Sequence, residues 1–559
     1  MAETSTSKIS EECDGPASAW GAMALLAGLA ILAQLPLYDR SLVPMDEGHL
    51  LAASDALAAG KRLYADIHTG IFPGIYWVAS ALLEWLGRDA LVLRGAALVT
   101  NSVTALALYA IGRRMVAPYW AWLPPLLYLA LIVVSFPVLS MFNYSTLAVA
   151  FGLLALLFLL RYLERGRAWE GVVLGLLIAA AALTKQNFGG LIFVALLIAL
   201  VLARRESALA DRGLFAGLLP IVAGGLGLTL AAFLALWIPG AFPAFLDRTI
   251  FSLAGSQLQD FNNPIPPIFG AHPADDGRFV FLYTPPTIFN ALVHGQPYAG
   301  FSLTPLLRSL SIRLSYGLPL AALILAPTLL FFTRHWGAMA ARNAARSTVI
   351  FAIVFSPGIF PSAIWSHLAF VLIPILLLFA LLGDRIEKML QGQRSAARLW
   401  RILAGVLTGI ALIIASRTAL SVMDFYPEPL ELERASLHVS ARDAELLGGA
   451  VRFIQECSEP GQPVLILPDI PVLYFLADRP NPSPFDLAIP GNVDGPLIAR
   501  QADAAQVRCA VLNPRMYPEF PPFEQLFPEL AAHLEREFRV VREIRGGNSV
   551  WLGMVRRAR

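Results

Sequence analysis

About eleven apolar runs, each close to the length needed to cross a lipid bilayer, constrain this chain more than anything else in it. They cover 20–37, 90–112, 119–137, 145–161, 169–184, 188–203, 214–238, 312–332, 348–363, 367–382 and 400–416. A helix of about 20 residues spans about 30 Å of hydrocarbon, and in lipid a segment must satisfy its own backbone polar groups, so each run is expected to be a helix. Composition agrees: 57% of residues are hydrophobic and 15% charged, which excludes an ordinary large soluble protein. A net charge of +2 gives no electrostatic footprint for nucleic acid. Residues 1–19 are polar, with Glu11, Glu12 and Asp14 ahead of the first run. That is unlike the basic start of a cleaved signal, so the first run is expected to be a permanent span.

Basic residues stay on the cytoplasmic side during insertion. Arg113 and Arg114, Arg161 to Arg167, Arg204 to Arg212, Arg334 to Arg346, and Arg385 to Arg401 fall in alternate loops. The expected layout is therefore a cytoplasmic tail (1–19), a transmembrane domain (20–420) and an extracytoplasmic domain (421–559). The first loop (38–89) and a long loop (239–308) would lie outside. The tail alternates helical patterns with short runs such as Val464-Leu465-Ile466-Leu467 and Cys509-Ala510-Val511-Leu512, the pattern of a small α/β domain. Besides Cys13, only Cys457 and Cys509 occur. No metal-ligand spacing follows from them, and a Cys457–Cys509 disulfide is left open.

Chemistry concentrates where the chain leaves the first span, at Pro44-Met45-Asp46-Glu47-Gly48-His49 and on to Tyr64-Ala65-Asp66-Ile67-His68. Ionisable groups at a membrane boundary commonly carry function, and a carboxylate there suits a general base. The other reading is that Asp46 and Glu47 cap or start the helix that follows, 47–59. Lys185, in Leu183-Thr184-Lys185-Gln186-Asn187, either snorkels to the interface or binds a lipid phosphate; Arg94 carries the same two readings. His367 fits an interface residue or a ligand contact equally. The later segment of the first loop, with Tyr76, Trp77 and Trp85, apolar but too short to span, is expected to lie as a helix along the membrane surface. His272, Asp275 and Asp276 are expected to form a solvated turn rather than a metal site.

The order of these pieces, one span, Asp46-Glu47-Gly48, a helix, Leu63-Tyr64-Ala65-Asp66, Phe72-Pro73-Gly74-Ile75-Tyr76-Trp77 and Leu93-Arg94, resembles the first loop of polytopic GT-C glycosyltransferases. The resemblance is to bacterial relatives of protein O-mannosyltransferases, the lipid A aminoarabinose transferase and rhizobial galacturonosyl transferases. Leu183 to Asn187 and Pro468 to Leu476 look like stretches shared by these proteins. The resemblance implies an α-helical GT-C-like fold. It also implies inverting transfer of a hexose or pentose from a polyprenyl-phosphate donor to a glycan, lipid or protein acceptor of the cell envelope, among membrane lipids. Asp46 and Glu47 would be catalytic, Asp46 as base. Asp66, His68, Arg94, Lys185 and His367 would bind substrate, with Glu47 and Asp66 orienting the acceptor or a divalent ion, the one cofactor left open. His68 stands near the place where the aminoarabinose transferase has a lysine, so phosphate contact there is not carried over. A transporter or flippase of lipid-linked saccharides is the alternative class, although no second copy of the acidic pattern accompanies it.

Overall fold

The computed structural model describes residues 16–251, 263–269, 280–287, 305–332, 338–489, 493–516 and 521–558. Most of the long loop, with His272, Asp275 and Asp276, lies outside the described residues. Helix α1 (Pro16–Tyr38) is followed by two short helices of the first loop, α2 (Asp46–Ala58) and α3 (Gly74–Leu86), and by α4 (Ala90–Met115). Helices α5 (Leu123–Val134), α6 (Tyr144–Arg165), α7 (Ala168–Thr184), α8 (Gln186–Ala203) and α9 (Leu214–Trp237) complete the first half. Then come α10 (Pro305–Phe332), α11 (Met339–Phe355), α12 (Trp365–Met389) and α13 (Arg394–Phe425).

Among the described residues eight helices are long and apolar enough to cross a membrane. The other three expected spans, 119–137, 169–184 and 348–363, correspond to shorter helices: α5 with a preceding turn, α7, and α11, which begins nine residues before the run and stops at Phe355. Proline brackets α5, and Pro357 opens a tighter turn after α11, so neither helix continues through its whole apolar run. Helix α3 buries Ile75, Tyr76, Ala79 and Leu83 and exposes Trp85 and Leu86; this one-sided burial is the pattern of a helix at a surface. Local sequence sets the ends. Asn143 caps α6 by accepting from the amides of Ser145 and Thr146, and Gly166 ends it at φ +66°, a conformation that favours glycine.

Close helix approach depends on small residues, as is usual for helices in lipid. A Cβ at Gly175 of α7 would lie 1.9 Å from the Ile221 carbonyl oxygen of α9, and one at Gly189 of α8 would lie 2.1 Å from Ala182 Cα. The single residue Lys185 links α7 to α8 in this tight hairpin.

After α13 a hairpin, β1 (Glu428–Leu432) and β2 (Ala435–Val439), precedes α14 (Ala441–Cys457), β3 (Leu465–Leu467), α15 (Val472–Ala477) and α16 (Gly495–Ala504). Strand β4 (Cys509–Leu512), α17 (Pro528–Glu537), β5 (Phe538–Gly546) and β6 (Ser549–Arg556) complete it. The strands order β3-β4-β6-β5, with β3 parallel to β4 and the other pairs antiparallel. This is the small α/β unit expected from the alternating pattern. Cys457 and Cys509 are joined by a disulfide, their Cα atoms 6.0 Å apart, so the question left open by the sequence is answered in the structure.

This unit docks on the first loop. The two share one apolar core, from Leu50 and Leu51 of α2 to Val472, Leu473 and Phe475 of α15. The Val472 amide donates to the Pro44 carbonyl (3.3 Å) and the Ser41 amide to the His438 carbonyl (2.8 Å). Arg434 bridges Asp55 of α2 at 3.0 Å. Because Gly48 has no side chain, α15 can lie against α2: a Cβ there would come within 2.6 Å of the Val472 nitrogen.

Candidate active site

Four parts of the chain meet around a cavity of about 270 Å³. Asp46, His49, His68 and Tyr76 come from the first loop, Tyr144 and Ser145 from the start of α6, His367 and Phe370 from α12, and Asp486 and Leu487 from the loop after α15. Asp46 is the first residue of α2, where the positive end of the helix dipole favours an acid. Its side chain makes no capping bond, so Asp46 and Glu47 start the helix in its first turn without capping it. Asp46 is exposed where it faces the cavity, with protein crowding its other sides. Among the described residues no hydrogen bond or ion pair is formed by its carboxylate. Enclosure raises its pKa, opposed by the nearby His49.

Glu47 points the other way. Its two oxygens take Arg94 Nε at 2.5 Å and Nη2 at 2.7 Å, and one also accepts from the Val43 amide. Arg94 further donates to the carbonyls of Arg40 and Ser41. Both side chains are buried and neither lines the cavity. Asp66 pairs with Arg62 at 3.0 Å, which holds its carboxyl below the usual range, and it faces a different cavity. Thus Asp46, His68 and His367 are brought together, whereas Glu47, Arg94 and Asp66 are not. Among the described residues no three His, Cys, Asp or Glu side chains are grouped to hold a metal ion. Glu47 and Asp66, offered as ligands by the resemblance, spend their oxygens on arginines.

Lys185 lies one layer behind the cavity wall. It is 8% exposed, donates to Ser145 Oγ at 2.8 Å, and its Nζ stands 3.8 Å from the Phe188 ring centre. Among the described residues it has no carboxylate partner. Burial without a counter-charge is costly for an ammonium and brings the Lys185 pKa down to about 7, so that wall is electropositive while Lys185 holds its proton. His367 donates Nδ1–H to the Ser362 carbonyl (2.6 Å), which in the neutral ring leaves Nε2 as an acceptor. His68 accepts from Arg248 and packs against Phe485, ring centres 4.6 Å apart and planes tilted by 38°.

Sequence reasoning missed His49 as a site residue, together with Tyr76, Arg248 and Asp486. His49 could have been found, since it lies three residues after Asp46 and therefore on the same helix side. Asp486 gave no local signal, because only tertiary docking brings it near.

Residues 68–233 match the family model described as dolichyl-phosphate-mannose-protein mannosyltransferase. Among solved structures, ArnT from Cupriavidus metallidurans bound to undecaprenyl phosphate superposes with a TM-score of 0.54 at 16% identity, covering 95% of this chain and 98% of that one. This is the GT-C fold. A second GT-C protein, the Archaeoglobus fulgidus oligosaccharyltransferase tethered to an acceptor peptide, gives a TM-score of 0.52 at 11% identity over 96% of this chain and 74% of that one. No curated protein matches the chain significantly in sequence.

Proposed function

We propose that the chain is an inverting membrane glycosyltransferase that moves a sugar from a polyprenyl-phosphate donor to an acceptor hydroxyl of the cell envelope. The observation that carries this reading is Asp46, a carboxylate without a partner among the described residues, at a cavity in a GT-C fold. ArnT is seen with a polyprenyl phosphate, which supports the donor class.

In this reading Asp46 removes the acceptor O–H proton as that oxygen forms a bond to the anomeric carbon from the face opposite the phosphate. The anomeric C–O bond breaks, its electron pair leaves with the polyprenyl phosphate, and the sugar inverts. A phosphate is already a good leaving group, so positioning and charge stabilisation do most of the catalysis. Lys185 in its protonated form and the Arg248–His68 pair beside the cavity favour the departing phosphate. The Nε2 of His367 is available to a sugar or acceptor hydroxyl. Glu47 and Arg94 have a structural role, bracing the turn that presents Asp46. Asp66 braces the loop before His68, and no step is assigned to a metal. The first loop and the unit from residue 421 onward lie on the outer face, following the charge of the loops.

The test is transfer from a panel of radiolabelled polyprenyl-phosphate sugars by protein in lipid, wild type against Asp46→Asn. Transfer from one donor, lost in a folded Asp46→Asn protein, supports the reading. Full activity in that variant would remove Asp46 as the base. Movement of lipid-linked saccharide without any transfer would return the transporter reading.

A further inference from the structure

The C-terminal unit reaches the cavity through one carboxylate. Both oxygens of Asp486 stand 2.9 Å from Nδ1 of His49. Nε2 of His49 is 3.0 Å from the Tyr76 hydroxyl, which in turn is 2.7 Å from Thr69 Oγ1. Asp486 is 7% exposed and belongs to a tightly tied loop: Asn481 and Ser483 donate to the Phe485 carbonyl, and the His68 amide donates to the Pro484 carbonyl. We infer that Asp486 and His49 are a positioning pair that holds a positive charge beside Asp46, so that the C-terminal unit, and not the first loop alone, completes the reaction site. This rests on the proposed role of Asp46.

The hydrogen-bond chain can accommodate that charge. Nδ1–H donates to the carboxylate, since an ionised carboxylate only accepts. In the protonated ring Nε2–H donates to the Tyr76 oxygen, and the Tyr76 hydroxyl donates to Thr69. Reversing the last two hydrogens suits the neutral ring, so the same contacts serve either state. Burial opposes the imidazolium, but Asp486 and then Asp46 favour it, and the balance lies above the ordinary histidine value. The titratable groups around the imidazole are Asp46 on its own helix, Asp486, Tyr76 of α3, Tyr144 of α6 and His68 of the first loop, with His367 of α12 across the cavity. Tyr474 of α15 faces Asp486 from behind. The acids on both sides favour the charged ring. The imidazolium in turn opposes protonation of Asp46, which enclosure alone would promote.

Two measurements test the pair. Titration of ¹³C-labelled histidines by NMR, with His49 assigned from the His49→Gln protein, reads its charge without any activity. In Asp486→Asn the His49 midpoint is expected to fall by about one pH unit or more, and in Asp46→Asn by a smaller amount; an unchanged midpoint in both overturns the inference. The pH profile of transfer is the second. Its acid limb is expected to move upward by about one unit in Asp486→Asn and to return towards wild type in Asp486→Glu. An equal loss at every pH would make Asp486 merely structural and overturn the inference. If Asp486→Asn does not fold, Asp486→Glu and the Asp46→Asn titration still decide. Full activity in Asp46→Asn, with the His49 shifts as expected, would instead sink the proposed base and leave the charge pair intact.

Discussion

Glu47 and Arg94 form a two-pronged ion pair, 2.5 and 2.7 Å, with both side chains buried. Arg94 is on α4 and Glu47 on α2, so the pair clamps the loop entry to the second long helix. Removing one partner leaves the other charge buried and uncompensated, which typically costs about 3–5 kcal/mol. Arg94→Met and Glu47→Gln are therefore expected to lower the melting temperature and yield of detergent-purified protein. Arg94→Lys should rescue little, because an ammonium cannot reproduce the fork. If these variants melt like the wild type and only lose turnover, Glu47 belongs to the chemistry after all.

The approach of Gly48 to Val472 fixes a second expectation. A methyl group there would meet backbone, which cannot give way cheaply, so Gly48→Ala should loosen the docking of the C-terminal unit on α2. Faster proteolysis between residues 421 and 490 is the readout, together with loss of transfer. A Gly48→Ala protein as resistant as wild type would show that docking tolerates the shift.

These contacts also show what the sequence could and could not disclose. Gly48 packs on α15, and Gly74 packs on the Leu183 carbonyl with Gln186 donating to Gly70. Four of the six stretches that carry the family resemblance are thus two pairs of facing surfaces. The spans were legible because lipid demands continuous apolar helices. The acids were legible as types but not as roles. Nothing local told Asp46, open to a cavity, from its neighbour Glu47, whose neutralising partner lies 47 residues away. Asp486 was illegible for the same reason, as its partner is 437 residues distant.

The Cys457–Cys509 disulfide ties the end of α14 to β4, and disulfides persist in oxidising compartments. Maleimide labelling of denatured protein from cells should therefore modify Cys13 at once, and Cys457 and Cys509 only after reduction. Immediate labelling of all three would place the C-terminal unit in a reducing compartment and reverse the proposed orientation.

Asp469, on the loop between β3 and α15, is pushed upward by burial, opposed by a hydrogen bond from Asn513. A carboxyl whose pKa is raised by folding favours the fold while protonated, and that contribution is lost as pH rises through the folded pKa. Asp469→Asn mimics the protonated form and still accepts from Asn513. Its melting temperature is expected to exceed that of wild type at neutral pH and to converge with it in acid. Lower stability at pH 7 would mean that the charge is needed.

Lys185 separates a substrate-binding cation from an interface residue. A buried, unpaired ammonium costs stability, so a structural lysine would be kept only for its contacts with Ser145 and Phe188. If instead it serves the donor phosphate, Lys185→Met should fold at least as well as wild type yet bind donor more weakly. A hydrogen bond to a charged group is worth about 1.5–3 kcal/mol, roughly a 10- to 100-fold rise in KM for the polyprenyl-phosphate sugar. Lys185→Arg must fit a planar fork between Ser145 and the rings of Tyr144, Phe188 and Phe370, and is expected to recover only part of the loss. A lower melting temperature with unchanged KM would assign Lys185 to packing and leave Arg248 as the cation nearest the departing phosphate.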